Sequence, residues 1–76
     1  LKAENRINVR IFEKTSEIED YEIFLYSSLD LRIKKINPTN RLTIVNLSDI
    51  SNGCYYLEIK NSKNQKIIRK LIKNAP

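Results

Sequence analysis

Leu47-Ser48-Asp49-Ile50-Ser51-Asn52-Gly53-Cys54-Tyr55-Tyr56-Leu57-Glu58-Ile59 holds the only glycine and the only cysteine of a 76-residue chain. Ile50 stands three positions before the glycine and Tyr55 two after it. From Cys54 onward the run alternates. Tyr55, Leu57 and Ile59 share one face, and Cys54, Tyr56, Glu58 and Lys60 share the other. The pattern predicts a tight corner feeding a strand, as at the end of a β-sandwich. Ile50 would plug the sandwich end, and Gly53 would let the chain turn without a Cβ clash. Tyr55 would sink its ring into the core while its hydroxyl caps backbone groups, as in a tyrosine corner. Ile50, Gly53 and Tyr55 are therefore the expected structural corner. Cys54, inside a strand pattern, reads as a small buried apolar side chain. A single cysteine makes no internal disulfide and leaves the redox compartment open.

Outward from the corner the chain reads as short strands. Leu42–Leu47 leads into it, with Val45 and Leu47 on one face. Asn37–Pro38–Thr39–Asn40 is a turn, its proline preset for a central position. Upstream, Tyr21–Tyr26 is aromatic and β-branched and predicts a strand covered on both faces. It is joined through Ser27–Asp30 to a return strand, Leu31–Ile36, with Leu31 and Ile33 on one face. That turn lacks glycine, and Asp30 is the residue best suited to positive φ. Residues 7–11 alternate, with Ile7, Val9 and Ile11 inward. Glu13–Asp20 is polar and reads as a loop.

Downstream, Asn61–Gln65 has turn chemistry and Lys66–Lys73 closes the chain. Ile67, Ile68, Leu71 and Ile72 also fit one face of a basic amphipathic helix suited to a membrane surface. A short polar turn after a strong strand favours a returning hairpin instead, and eight residues are few for a helix. The sum is an all-β fold: one domain spanning 1–76, a small antiparallel Ig-like β-sandwich of six or seven strands.

Composition narrows the function more by exclusion than by assignment. Apolar residues make up 41% and charged residues 30%, as in a folded domain. No apolar run approaches the length of a membrane span, so no membrane insertion is expected. The chain opens without an initiator Met or a signal peptide, and so looks mature or excised. A chain this short buries a modest core and is expected to be marginally stable. Lys plus Arg number 14 against 9 Asp plus Glu, a net charge of +5. Scattered lysines on a half-exposed sheet chiefly protect its edges, although they also favour acidic partners.

With no histidine and one cysteine, a His/Cys zinc site and a Ser-His-Asp triad are excluded. One glycine makes no phosphate-cradling loop. Glu17, Glu19, Asp20 and Glu22 cluster around one loop, but their spacing matches no EF-hand and a domain this small has little room for a cleft. No enzyme activity and no cofactor or metal are expected. Lys34, Lys35, Lys63, Lys66, Arg69, Lys70 and Lys73 supply charge for nucleic acid, but the aromatics that would have to interleave with them sit at core-like positions. No nucleic-acid partner is expected. Tyr21, Phe24, Tyr26, Tyr55 and Tyr56 would form a carbohydrate platform only if exposed together. Asn46–Leu47–Ser48 matches the glycosylation sequon, a short pattern inside a strand.

Two stretches taken in order resemble a known family. Tyr21-Glu-Ile-Phe-Leu-Tyr-Ser-Ser-Leu-Asp-Leu-Arg-Ile-Lys-Lys35 is similar to a hairpin ending in lysines. Thr43–Ile59 is similar to an alternating strand, a leucine, small residues, Gly-x-Tyr and a second strand, and a Lys-rich strand follows at Lys66–Lys73. The family is the C-terminal sorting domain of the type IX secretion system (type A). The chain departs from it at Asp30, where the family has glycine, at Ser27, where it has aspartate, and at Cys54, where it has an apolar residue. The family's opening Pro-Asn-Pro is missing, and Asn74–Ala75–Pro76 runs past its usual end.

The resemblance implies a secretion signal without catalysis of its own, carried at the C-terminus of a cargo protein of certain Gram-negative bacteria. It implies recognition in the periplasm by the outer-membrane secretion machinery and removal by a sortase-like peptidase. The cargo then reaches the cell surface or the medium. The family places recognition in the final strand region, here Ile67, Ile68, Arg69, Lys70, Leu71, Ile72 and Lys73. A strand with one free edge there could add to a receptor sheet. On this reading, deleting Lys70–Pro76 would block export while leaving the fold mostly intact. Free edges would also allow swapping or a weak homodimer. The alternative reading is a small Ig-like adhesion, carbohydrate-binding or spacer module of an extracellular protein.

Overall fold

The computed structural model describes residues 1–11 and 20–76. Seven strands follow one another: β1 Lys2–Ala3, β2 Arg6–Arg10, β3 Glu22–Ser27, β4 Arg32–Ile36, β5 Leu42–Asn46, β6 Gly53–Lys60 and β7 Lys66–Lys73. Five form one sheet in the order β1-β7-β6-β3-β4, and β2 pairs with β5 in a second. The fold is an all-β sandwich, as the alternation predicts. Every pairing is antiparallel except β1 with β7, which is parallel and places Lys2 beside Ile72 and Ala3 beside Lys73. No pattern marks β1 in the sequence, because two residues are too few to show a period.

The core is the seam between the two sheets. Ile23 and Leu25 from β3, Tyr55 and Leu57 from β6 and Leu71 from β7 meet Val9 from β2, Val45 from β5 and Leu47 beyond it. These positions alternate along their strands, and that alternation builds the sandwich. The β6–β7 register runs unbroken from Gly53↔Lys73 to Lys60↔Lys66. Lys66–Lys73 is thus a strand over its full predicted length, and the helical alternative is not adopted.

The β3–β4 hairpin differs from its sequence reading. Asp30 does carry positive φ, at 63°, and the Ser27 hydroxyl accepts from the Leu29 and Leu31 backbone N–H groups. The register slips between Leu25 and Tyr26, however. The bulge breaks the alternation expected of Leu31 and Ile33, and both lie exposed. In the β6–β7 turn Asn64 takes the positive φ, also 63°. The Asn61 side chain accepts from the N–H groups of Lys63 and Gln65, so the turn closes without glycine.

Candidate functional site

The corner before β6 is built from four local contacts. Asn46 Oδ1 accepts from the Ser48 N–H at 3.0 Å and its hydroxyl at 2.7 Å, which folds the chain back after β5. Ile50 then packs half-buried against the core. Gly53 has φ 154°, a value that L-residues rarely adopt, while a Cβ there would meet only the Tyr55 ring at 4.0 Å. Backbone conformation, rather than the Cβ clash read from the sequence, is what asks for glycine. Tyr55 is 7% exposed, and its hydroxyl donates to the Ser51 carbonyl at 2.6 Å. Its partner lies four residues upstream, the geometry of a tyrosine corner. Cys54, on the opposite face, is exposed. It was expected inside, but the outer face at this point has no covering layer.

The same corner holds the end of β7. Lys73 is 5% exposed and is the one charged residue buried among those described. Its ammonium donates to the Ile50 carbonyl. Two residues on, Ala75 and Asn52 exchange a pair of hydrogen bonds, both 2.9 Å. A second lysine, Lys34 of β4, reaches the corner from the other side and donates to the Asn46 carbonyl and to Asp49, each at 2.6 Å. The Lys34 hydrogen bond holds the exposed Asp49 carboxyl below its usual value, against a smaller opposing effect of desolvation.

The seven residues of the predicted recognition strand therefore divide. Leu71 and Lys73 are buried and serve the core and the corner. Ile72 is half-buried beside β1. Ile67, Ile68, Arg69 and Lys70 are exposed, Ile67 and Ile68 at 51% and 50%. Two expectations change as a result. The edge of β7 is not wholly free, since β1 covers its last residues. Nor is Lys70–Pro76 expendable to the fold, because removing it takes away Leu71 from the core and the clamp at the corner.

The aromatic residues likewise divide. Phe24 lies on the outer face, yet it is buried beneath the Arg32 guanidinium, 4.4 Å above its ring. Tyr26 is half-buried, and Tyr56, opposite it on β6, is exposed. With Ile68, Glu58, Ser28 and Asp30 they line an open groove of about 520 Å³. Of the acidic loop cluster, Glu17 and Glu19 lie outside the described residues, Asp20 is exposed, and Glu22 pairs with Lys35 at 3.0 Å.

Comparison with known proteins decides the family. The model of the secretion system C-terminal sorting domain matches residues 3–74, nearly the whole chain. The chain belongs to this family. It is a type IX secretion sorting domain, a kind of domain carried by cargo polypeptides and read by that machinery, and its family is not an enzymatic one. The match runs from the second residue of β1 past the end of β7, so the sorting domain includes both the corner and the half-exposed final strand. No curated protein and no solved structure matches the chain.

Proposed function

We propose that this sorting domain rides at the C-terminus of an exported cargo, crosses the periplasm folded, and is recognised through the exposed part of β7. Ile67, Ile68, Arg69 and Lys70 are the contact residues. Leu71, Ile72 and Lys73 present them by anchoring the strand, and Ile50, Gly53 and Tyr55 hold the anchor in place. The outer-membrane machinery then passes the cargo to the surface or the medium, and a sortase-like peptidase removes the domain, which has no catalysis of its own. The observation that carries this reading is the division within one strand. Two large apolar side chains, Ile67 and Ile68, stay exposed, while Leu71 and Lys73 are buried and Ile72 is half-buried. Exposed apolar pairs flanked by cations suit a protein partner more than solubility.

The test is a reporter fused ahead of the domain in a bacterium with the type IX system. The Ile67→Ser/Ile68→Ser variant is expected to leave the reporter in the periplasm while the isolated domain still melts cooperatively. Wild-type export of that variant would refute the assignment of the contact residues.

The groove beside Tyr26 and Tyr56 favours a second reading, an adhesion or carbohydrate-binding module. Burial of Phe24 and Tyr55 leaves that face two partly exposed rings, Tyr26 and Tyr56, not the five expected of a platform. Saturable chemical-shift changes at Tyr26 and Tyr56 on adding oligosaccharides would support it.

A further inference from the structure

The outer edge of the five-stranded sheet changes character part-way along β7. Towards the C-terminus it is closed. The Leu1 amino group donates to the Lys70 carbonyl at 3.1 Å, the Ile72 N–H to the Leu1 carbonyl at 2.8 Å, and the Asn74 N–H to the Ala3 carbonyl at 2.9 Å. Hydrogen-bonding direction alternates along a strand. The even-numbered residues of β7 therefore point their backbone groups away from β6, and the odd-numbered ones towards it. The N–H and carbonyl groups of Lys66 and Ile68, and the N–H of Lys70, meet no backbone partner among the described residues. Among the described residues, the Arg69 guanidinium alone approaches, reaching the Ile68 carbonyl at 3.5 Å.

This open stretch pairs with β6 in an unbroken register. The opposite edge, β4, is bent by its bulge and tied down through Lys34, which is how exposed edges are usually blunted. The open part of β7 has cations instead. On the outer face the order is Lys66, Ile68, Lys70, and on the inner face Ile67, Arg69. A second copy fits this edge poorly. Two-fold pairing about Ile68 would set Lys66 against Lys70 twice, and like charges directly opposite are destabilising.

We infer that a partner adds an extended segment antiparallel to β7 along this edge, with acidic residues opposite Lys66, Arg69 and Lys70 and apolar residues opposite Ile67 and Ile68. The inference rests on the sorting reading and states the chemistry of its partner. Main-chain bonds to Lys66, Ile68 and Lys70 give affinity, and the alternating acids and apolar residues give selectivity. The pattern excludes a basic or wholly apolar strand and discourages self-association.

The probe is a blocked synthetic peptide, Thr-Glu-Glu-Val-Val-Glu-Thr, added to the intact domain. The Lys66, Ile68 and Lys70 amides are expected to exchange at least about tenfold more slowly at saturation, an effect weakened by salt. The peptide with lysine in place of every glutamate is expected not to bind. Ile68→Pro removes one outward donor without touching the ladder to β6, a placement that edge strands tolerate. It should keep the melting transition and lose the peptide. If it fails to fold, Lys66→Glu/Lys70→Glu serves instead and should weaken the acidic peptide.

Unchanged exchange in the wild-type domain, equal binding of the lysine peptide, or dimerisation through this edge in preference to peptide would overturn the inference. So would an Ile68→Pro reporter exported like the wild type, which also takes Ile68 out of the contact residues but leaves the domain's role as a sorting signal standing. A wild-type reporter that is not exported overturns the sorting reading itself.

Discussion

Leu71→Ala and Ile68→Ala remove the same number of carbon atoms from the same strand, yet the fold assigns them very different costs. Leu71 is fully buried against Tyr55 and the second sheet, whereas Ile68 is half-exposed on the outer face. Each substitution deletes three carbons. At about 0.8 kcal/mol per buried methylene, the transfer loss at Leu71 is about 2.4 kcal/mol. The cavity left between two sheets raises it to about 3–5 kcal/mol. At Ile68 only about half of the transfer loss applies and no cavity forms, so about 1 kcal/mol is expected. For a 76-residue chain the unfolding entropy near the midpoint is about 0.16 kcal/mol per kelvin. Leu71→Ala should therefore lower Tm by about 20 °C or more, and Ile68→Ala by about 6 °C.

The assay is thermal and urea unfolding followed by far-UV circular dichroism and tyrosine fluorescence, since the chain has four tyrosines and no tryptophan. In the export reporter the order should reverse when the cells are kept cool enough for both variants to fold, with Ile68→Ala the more damaging. Equal stability losses, or a larger loss at Ile68, would refute the reasoning. A slip of one residue in β7 exchanges its two faces and would produce that result.

Gly53→Val should destabilise by about 1–3 kcal/mol through its backbone conformation; an unchanged Tm would contradict the corner geometry. Tyr55→Phe keeps the ring in the core but orphans the Ser51 carbonyl, and should cost about 1–2 kcal/mol in a urea titration. Lys73→Met keeps the length of the stem but leaves the Ile50 carbonyl without its donor. Faster amide exchange at Ile50–Gly53 and Asn74–Ala75 is the expected sign, and unaltered exchange would show the clamp to be dispensable. The Asp49 carboxyl titrates below its usual value in the folded domain. Its contribution to stability is therefore present above the unfolded-state pKa and lost as pH falls through the folded one. Carbon-detected titration of Asp49 should move back towards the ordinary aspartate value in Lys34→Met, and no movement would exclude Lys34 as the cause.

The corner's dependence on both ends of the domain has a consequence for sorting. Lys73, Asn52 and Ala75 tie the C-terminal segment to the Asn46–Gly53 turn, and Lys34 ties that turn to β4. Truncating the C-terminus thus removes part of the fold together with any recognition surface, whereas substitutions at Ile67–Lys70 leave the core and the clamp in place.

Alternation along the chain by itself determined most of the strands and the inward faces, because a side chain's face in a strand depends only on parity. Val9, Val45, Leu47, Tyr55 and Leu57 were legible in this way, and so was the positive φ of Asp30, which only a few residue types accept. The family could be read from the order of the hairpin, the Gly-x-Tyr corner and the Lys-rich ending. Parity cannot tell which face has a layer over it. Tertiary structure alone decided that Cys54 and Ile68 lie open while Phe24 is covered by a neighbour's guanidinium. It also decided where β1 lies, because its partner is some seventy residues away in sequence and its two residues carry no period. Within the final strand, the sequence shows eight basic and apolar residues in a row. Only the sheet beneath them and the strand beside them divide that row into Leu71 and Lys73, which are buried in the core and the corner, and Ile67 to Lys70, which stay exposed.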